Sequence, residues 1–236
     1  MLVEKVYIKL MCGRFYRHEI NADLQLPDFP VTFTFEDGNA PAAYNIAPTQ
    51  SIPIWRASEN RQDFEIVNAR WGLVPYWYRK PLQEFKLTTF NARSEKAHES
   101  NVFKQPLSKK RCIIPASGFY EWMGEKGNKQ PVAISLKNRR HFFFAGLWDK
   151  TTIDGEAITS CTIMTTEPNA MMKDIHNRMP VIIGLHHLHD WLFGGEVPEG
   201  VFEPYDSGAM TSWPVGKAVG NVRNQGAELI NEVALQ

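Results

Sequence analysis

Little in this chain points to a scaffold held by covalent or metal cross-links. Its three cysteines, Cys12, Cys112 and Cys161, are odd in number and show no CxxC spacing. That argues against a disulfide framework and a zinc knuckle, and fits a reducing cytosol. No apolar stretch is long enough to span a membrane. The opening MLVEKVYIKL carries Glu4, Lys5 and Lys9 where a secretory signal needs an apolar core. An excess of one charge is missing as well: 26 Lys and Arg balance 26 Asp and Glu. General electrostatic coating of nucleic acid is therefore disfavoured, and any nucleic-acid site must be local. There is no internal repeat, low-complexity tract or domain-marking linker.

The composition is that of a globular domain. Of 236 residues, 43% are hydrophobic and 22% charged, enough to bury a sizeable core. Sixteen glycines and fifteen prolines spread along the chain imply many short elements. Arg111 to Ala116, Pro131 to Leu136, His141 to Leu147 and Ala157 to Thr166 are apolar, β-branched or aromatic runs that read as strands of one sheet system. Gly124 to Lys129 and Thr152 to Glu156, the latter with Asp154-Gly155, carry hairpin-turn chemistry, so neighbouring strands are expected antiparallel. Leu185, Leu188 and Leu192 recur at helical spacing before Gly194-Gly195 and read as a short helix. The fold class expected is α+β, one domain with a central, mainly antiparallel sheet or barrel system flanked by short helices.

His186, His187 and His189 invite a metal reading, but no second ligand cluster accompanies them, and no metal site is assigned. Cys12 stands in Met11-Cys12-Gly13-Arg14-Phe15, a start-like motif displaced ten residues into the chain. If Met11 initiates, its removal exposes the cysteine amine; if Met1 does, the bond before Cys12 must be cut. An N-terminal cysteine offers an amine of pKa about 7.7 to 8.0 and a thiol of about 8.5 on adjacent carbons. Its natural electrophile is an aldehyde, with which it closes a five-membered thiazolidine without a cofactor. A buried cysteine serving only as a small hydrophobe is the alternative, and the motif alone does not choose.

Further motifs follow in order: Tyr44-Asn45-Ile46-Ala47-Pro48, Arg70 to Pro75, Asn91-Ala92-Arg93-Ser94-Glu95, Arg111 to Ala116, Gly118-Phe119-Tyr120-Glu121-Trp122 and His176-Asn177-Arg178-Met179-Pro180, with a tail at Ala218 to Glu228. Together with Met11 to Phe15 this pattern resembles the SOS response-associated peptidase (SRAP) family, from Met11 almost to the end. The resemblance implies a monomer that recognises abasic sites in single-stranded DNA and crosslinks to them through the cysteine, with no cofactor and no membrane. It implies residues 1–11 as an extension removed or not translated, 12–236 as the functional domain, and a cytoplasmic protein that joins the nucleoid when bound to DNA. The family name adds a thiol autopeptidase cutting before Cys12. A Schiff base at the sugar admits β-elimination as a lyase side reaction. A non-covalent binder of damaged single-stranded DNA is the rival from another class.

By motif position, Asn91 holds the cysteine or sugar, while Glu121 and His176 handle protons. Glu121 lies among Phe119, Tyr120 and Trp122, where desolvation raises a carboxyl toward neutral pH; strand alternation equally allows an outward charge. His176 titrates in the range needed to protonate the sugar oxygen, but alone it is an ordinary loop histidine. The family usually has Asp where this chain has Asn177, and Asn177 is given no role. Arg14, Arg93 and Arg178 each adjoin a reactive motif and are expected to clamp phosphates, though each also suits a surface ion pair. Trp77 and Tyr78, in a proline-flanked aromatic loop, are expected to stack on a base beside the lesion; a hydrophobic lid is the alternative. Asn68-Ala69-Arg70 copies the Asn91 triplet outside its motif and is read as a decoy. Lys109-Lys110-Arg111 reads as a solvated strand entrance.

Overall fold

The computed structural model describes residues 12–20, 40–59, 63–125 and 127–234. The extension 1–11 lies outside them, as does Lys126 in the first hairpin loop.

Five strands close on themselves. β3 (Ser51–Ala57), β4 (Phe64–Trp71), β6 (Arg111–Ala116), β9 (Phe142–Ile153) and β10 (Glu156–Thr166) pair in the cycle β3-β4-β10-β9-β6 and back to β3. Closure leaves these strands without a free edge between them. A second sheet stands beside the barrel in the order β12-β8-β7-β1-β2, antiparallel throughout: β1 (Phe15–Arg17), β2 (Ala43–Ile46), β7 (Gly118–Met123), β8 (Gln130–Leu136) and β12 (Met210–Pro214).

The expected single sheet system is thus two. The break falls at Ser117, where the chain leaves the barrel as β6 and enters the second sheet as β7. Gly118 permits this: a Cβ there would lie 2.3 Å from the Tyr16 ring, so only glycine lets β1 pass so close. Asp154 (φ 53°) and Gly155 (φ 84°) form the expected tight turn between β9 and β10. Antiparallel pairing is not universal, because β4 and β5 (Asn91–Arg93) run parallel to β10.

β10 is the ruler of the molecule. Along one edge it pairs first with β4, Ser160 opposite Arg70, and then with β5, Ile163 opposite Asn91 and Thr165 opposite Arg93. Its end also pairs with β11 (Met179–Pro180), Thr165 opposite Pro180. Three segments remote in sequence are thereby aligned within a few residues of one strand.

The continuous apolar runs have a simple cause: both faces of β6, and of β9 from Phe142 to Leu147, are buried. Ile114, Phe144 and Ile163 face a cluster shared with Phe15, Phe119 and Ile134 of the second sheet. Ile113, Phe143 and Leu147 face the opposite way, into a cluster with Leu188, Trp191 and Leu192. Those three lie on α3 (Leu188–Phe193), the expected helix, preceded by a 3-10 turn at Leu185–His187 and ended by Gly194. Arg111 pins it by donating to the carbonyls of Trp191 and Gly194. The short helices α1 (Ser94–Ala97) and α2 (Lys104–Lys109) lie between β5 and β6. No helix among the described residues is long and apolar enough to cross a membrane.

Candidate active site around Cys12

Cys12 enters the structure immediately before β1, beside the partner strand β7. The pairing of Phe15 with Phe119 and the bond from Tyr120 N–H to the Arg14 carbonyl fix the register. That register brings the Cys12 backbone nitrogen to Glu121, where it donates to Oε1 at 2.7 Å. Glu121 is 3% exposed, so the outward-facing reading of this carboxylate is excluded. Cys12 is also buried and has φ of 28°, a left-handed conformation that costs a non-glycine residue energy.

The other expected residues converge on the same point. Asn91 Nδ2 reaches the Cys12 carbonyl at 3.5 Å, and the Cys12 thiol faces the Arg178 carbonyl at 3.9 Å. The backbone N–H of Arg178 donates to His176 Nδ1 at 3.1 Å, which leaves the proton of a neutral ring on Nε2. His176 is itself buried, its N–H tied to the Met172 carbonyl at 2.7 Å. Thus the segment before β1, β5, β7 and the turn before β11 each deliver one of Cys12, Asn91, Glu121 and His176.

Burial pushes the Cys12 thiol well above its ordinary value, the negative charge and hydrogen bond of Glu121 push further, and Arg178 offsets only part. The thiol is therefore protonated at neutral pH, and its proton needs an acceptor before sulfur can attack. Glu121 is the carboxylate in position.

The three arginines differ in what they leave free. Arg14 spends Nη1 on Asn45 Oδ1 at 2.6 Å and the Val219 carbonyl at 2.7 Å, and its guanidinium lies 5.7 Å from the Trp122 ring centre. Arg178 bonds Glu95 Oε2 and the Thr165 carbonyl, both at 2.8 Å. Burial raises the Glu95 carboxyl, but its bonds to Arg178 and to its own backbone outweigh this and hold it below the usual carboxylate range. Arg93 is exposed at the end of β5, with no polar partner among the described residues. Asn177 is exposed.

In the aromatic loop Tyr78 is half-buried beside the more exposed Tyr76 and Trp77. Trp77 is 45% exposed, but its exposed companion is Tyr76 at 49%. Tyr78 packs edge-on against Phe85, 4.9 Å between ring centres, and its hydroxyl donates to the Pro81 carbonyl. The Asn68 copy of the Asn91 triplet is exposed on β4 opposite Pro53, and Arg70 folds onto the Gly72 carbonyl. His186 and His187 lie ring to ring at 3.9 Å, and no group of three potential metal ligands occurs among the described residues.

Asn45 stands in the Tyr44–Pro48 motif, where its sequence neighbours indicate no role for it. It is fully buried, and its Nδ2 donates to the carbonyls of Val219, Asn221 and Asn224 at 3.2, 3.0 and 2.8 Å. It therefore ties the C-terminal tail to Arg14, two residues from Cys12. Replacing Asn45 by Ala is expected to destabilise the fold by about 1–3 kcal/mol, the range for stripping partners from buried polar groups. The urea midpoint of unfolding measures it; an unchanged midpoint would count against this hub.

Comparison with known proteins places this constellation. Residues 11–222 match the family described as SOS response associated peptidase (SRAP). The chain belongs to the SRAP family. Among SRAP relatives, Abasic site processing protein YoaM of Bacillus subtilis is 39% identical over 94% of this chain and 98% of its own length. Abasic site processing protein YedK of Escherichia coli is 31% identical over 94% and 100%. Abasic site processing protein HMCES of Xenopus tropicalis is 29% identical over 82% of this chain and 67% of its own. A solved protein of Bacteroides thetaiotaomicron has the same fold, with TM-score 0.71, 25% identity, and coverage of 81% and 85%. The matched SRAP region spans Cys12, Asn91, Glu121 and His176.

Proposed function

We propose that this protein recognises abasic sites in single-stranded DNA and closes a thiazolidine between Cys12 and the ring-opened sugar, shielding the lesion. The observation carrying the reading is the Cys12 nitrogen held 2.7 Å from the buried Glu121 carboxylate. The SRAP relatives YoaM and YedK are abasic site processing proteins, which supports an abasic substrate.

The chemistry uses few parts. His176 protonates the ring oxygen as the sugar opens to its aldehyde. The free Cys12 amine adds to that carbon and loses water, giving an imine; Glu121 carries the protons. The thiol then adds across the C=N bond, sulfur to carbon and its proton to nitrogen, so one water is lost overall. Asn91 holds the Cys12 carbonyl still. Arg93, Arg14 and Arg178 bind flanking phosphates, with Arg93 the most available because its guanidinium is uncommitted. If the ring closes slowly, the imine acidifies the neighbouring carbon and β-elimination competes.

The amine must first be free, and a second activity answers that need. The positive φ of Cys12 and the contact of Glu121 with its nitrogen favour cleavage of the Met11–Cys12 bond. The thiol attacks the Met11 carbonyl carbon, Glu121 delivers a proton to the departing nitrogen, and water hydrolyses the resulting thioester.

Incubation with an oligonucleotide carrying one abasic site, followed by a denaturing gel, tests the main reading. Wild type is expected to give a heat-stable shifted band that Cys12→Ser loses entirely. A band of equal intensity from C12S, or none from wild type, would overturn it.

A further inference from the structure

The exposed Tyr76-Trp77 pair stands on a loop that is unusually well fastened. Gly72 opens it with φ of 129°, its N–H donating to the Cys161 carbonyl at 2.8 Å. That φ is one L side chains rarely adopt, so the turn favours glycine. Val74 N–H then donates to Ser160 Oγ at 2.8 Å. Beyond it the loop is held by β9. Asp149, fully buried, accepts the Tyr76 N–H at Oδ2, 2.7 Å, and at Oδ1 accepts Lys110 Nζ at 2.5 Å and the Lys150 N–H at 2.9 Å. Thr151 Oγ1 donates to the Tyr78 carbonyl at 2.8 Å. Arg79 bonds the carbonyls of Tyr76 and Tyr78 and the Thr151 hydroxyl.

A buried carboxylate is costly to desolvate, and here both of its oxygens are satisfied by the loop and by a lysine. Lys110 is shared further: its ammonium lies 5.9 Å from the centre of the Tyr76 ring and 5.5 Å from that of Trp148. Two large rings are thus presented to solvent on backbone that cannot relax to bury them. Ser160, which anchors the loop, lies three positions along β10 from Ile163, the partner of Asn91. At about 3.3 Å per residue that is roughly 10 Å.

We infer that Asp149 is a positioning residue that presets Tyr76 and Trp77 as a stacking surface for bases flanking the lesion. Tyr76, not Tyr78, is the second aromatic contact. The inference rests on the proposed function for its substrate. A ledge fixed before binding loses no loop entropy when a base stacks on it, so its fastening is read out as affinity. Asp149 pairs with Ser160, three positions along β10 from the partner of Asn91, and its bonds to Tyr76, Lys110 and Lys150 involve none of Cys12, Asn91, Glu121 and His176, so the rate at saturating strand is expected to be untouched.

Crosslinking rates of the full chain, taken over a range of abasic-strand concentrations, test this. D149N is expected to raise the half-saturating concentration about tenfold with the maximal rate unchanged, within the range for losing one stacked base. W77A is expected to do the same, and adding D149N to W77A to cost little more. Thr151→Val, which removes one strap without touching the buried charge, is expected to give a smaller shift of the same kind. Faster amide exchange of Tyr76 in D149N, with exchange in β9 and β10 unchanged, reports the loosened loop without DNA. A fall in the maximal rate, a full additional loss in the double variant, or unchanged Tyr76 exchange would overturn the inference. Failure of the function reading looks different: wild type then gives no Cys12-dependent adduct, and the ledge is judged by Tyr76 exchange and by anisotropy of a labelled undamaged oligothymidylate. Weaker binding by both W77A and D149N supports the ledge; equal binding to wild type overturns it.

Discussion

Glu121→Gln is expected to slow ring closure on an abasic strand by about a hundred- to ten-thousandfold, the usual contribution of a positioned acid-base group. The same substitution should move the Cys12 thiol the other way. Burial dominates the rise of that thiol, and Glu121 adds to it by charge and by hydrogen bond. Removing the negative charge removes a penalty on the thiolate, so the thiol titrates lower in E121Q than in wild type. Ultraviolet thiolate absorbance against pH, with C12S as blank, follows it. The opposed directions are what make the variant informative. Were Glu121 only a charge suppressing the nucleophile, E121Q would hold more thiolate and close the ring faster. A slower reaction with a lower thiol pKa identifies proton transfer as its task; a faster one would remove Glu121 from the catalytic group.

Trp71→Ala is expected to cost about 3–5 kcal/mol of folding stability, the range for truncating a large aromatic in a well-packed core. Trp71 is fully buried at the end of β4, edge-on to Phe15 at 5.2 Å, and its Nε1 donates to the Phe90 carbonyl at 2.7 Å. Phe15 lies three residues beyond Cys12, and Phe90 precedes Asn91. One indole thus braces both segments that meet at the Cys12 carbonyl. Denaturant unfolding measures the loss. Trp71→Phe, which keeps most of the ring volume but loses the N–H, should recover much of the stability while leaving the Phe90 carbonyl without that donor. A loss under 1 kcal/mol in the alanine variant would show that the core collapses around the gap and that the brace is unimportant.

How far these features were legible in the sequence depended on their range. β6 begins and ends where its apolar run does, and the Asp154-Gly155 turn falls where its residues require positive φ, because both are decided locally. The separation of Gln130–Leu136 from the barrel was not legible. It turns on Gly118 passing under the Tyr16 ring, a contact between residues 102 positions apart. The parallel pairing of Asn91–Arg93 with β10 was hidden for the same reason: three residues carry no periodicity from which a strand could be read.

The site divided similarly. Cys12, Asn91, Glu121 and His176 could be singled out because each sits in a short motif, and the fold brings them together. Glu121 showed the limit of local reading, since alternation alone allowed an outward charge and only the pairing of β1 with β7 settles its burial. Asn45 and Asp149 make their important bonds to backbone groups far along the chain, so nothing near them in sequence announced those partners. The greater exposure of Tyr76 was not legible either, since both tyrosines adjoin Trp77 and only the packing of Tyr78 against Phe85 tells them apart.

The central claim is that Cys12 acts as an N-terminal cysteine, and mass spectrometry of the crosslinked protein tests it most directly. Nuclease and protease digestion of the adduct should yield a peptide beginning at Cys12, joined to the deoxyribose remnant with loss of one water. Because sulfur and nitrogen are both bonded to the former aldehyde carbon, the adduct should form without borohydride. An adduct on a chain still carrying residues 1–11, on another residue, or isolable only after borohydride reduction would contradict the account.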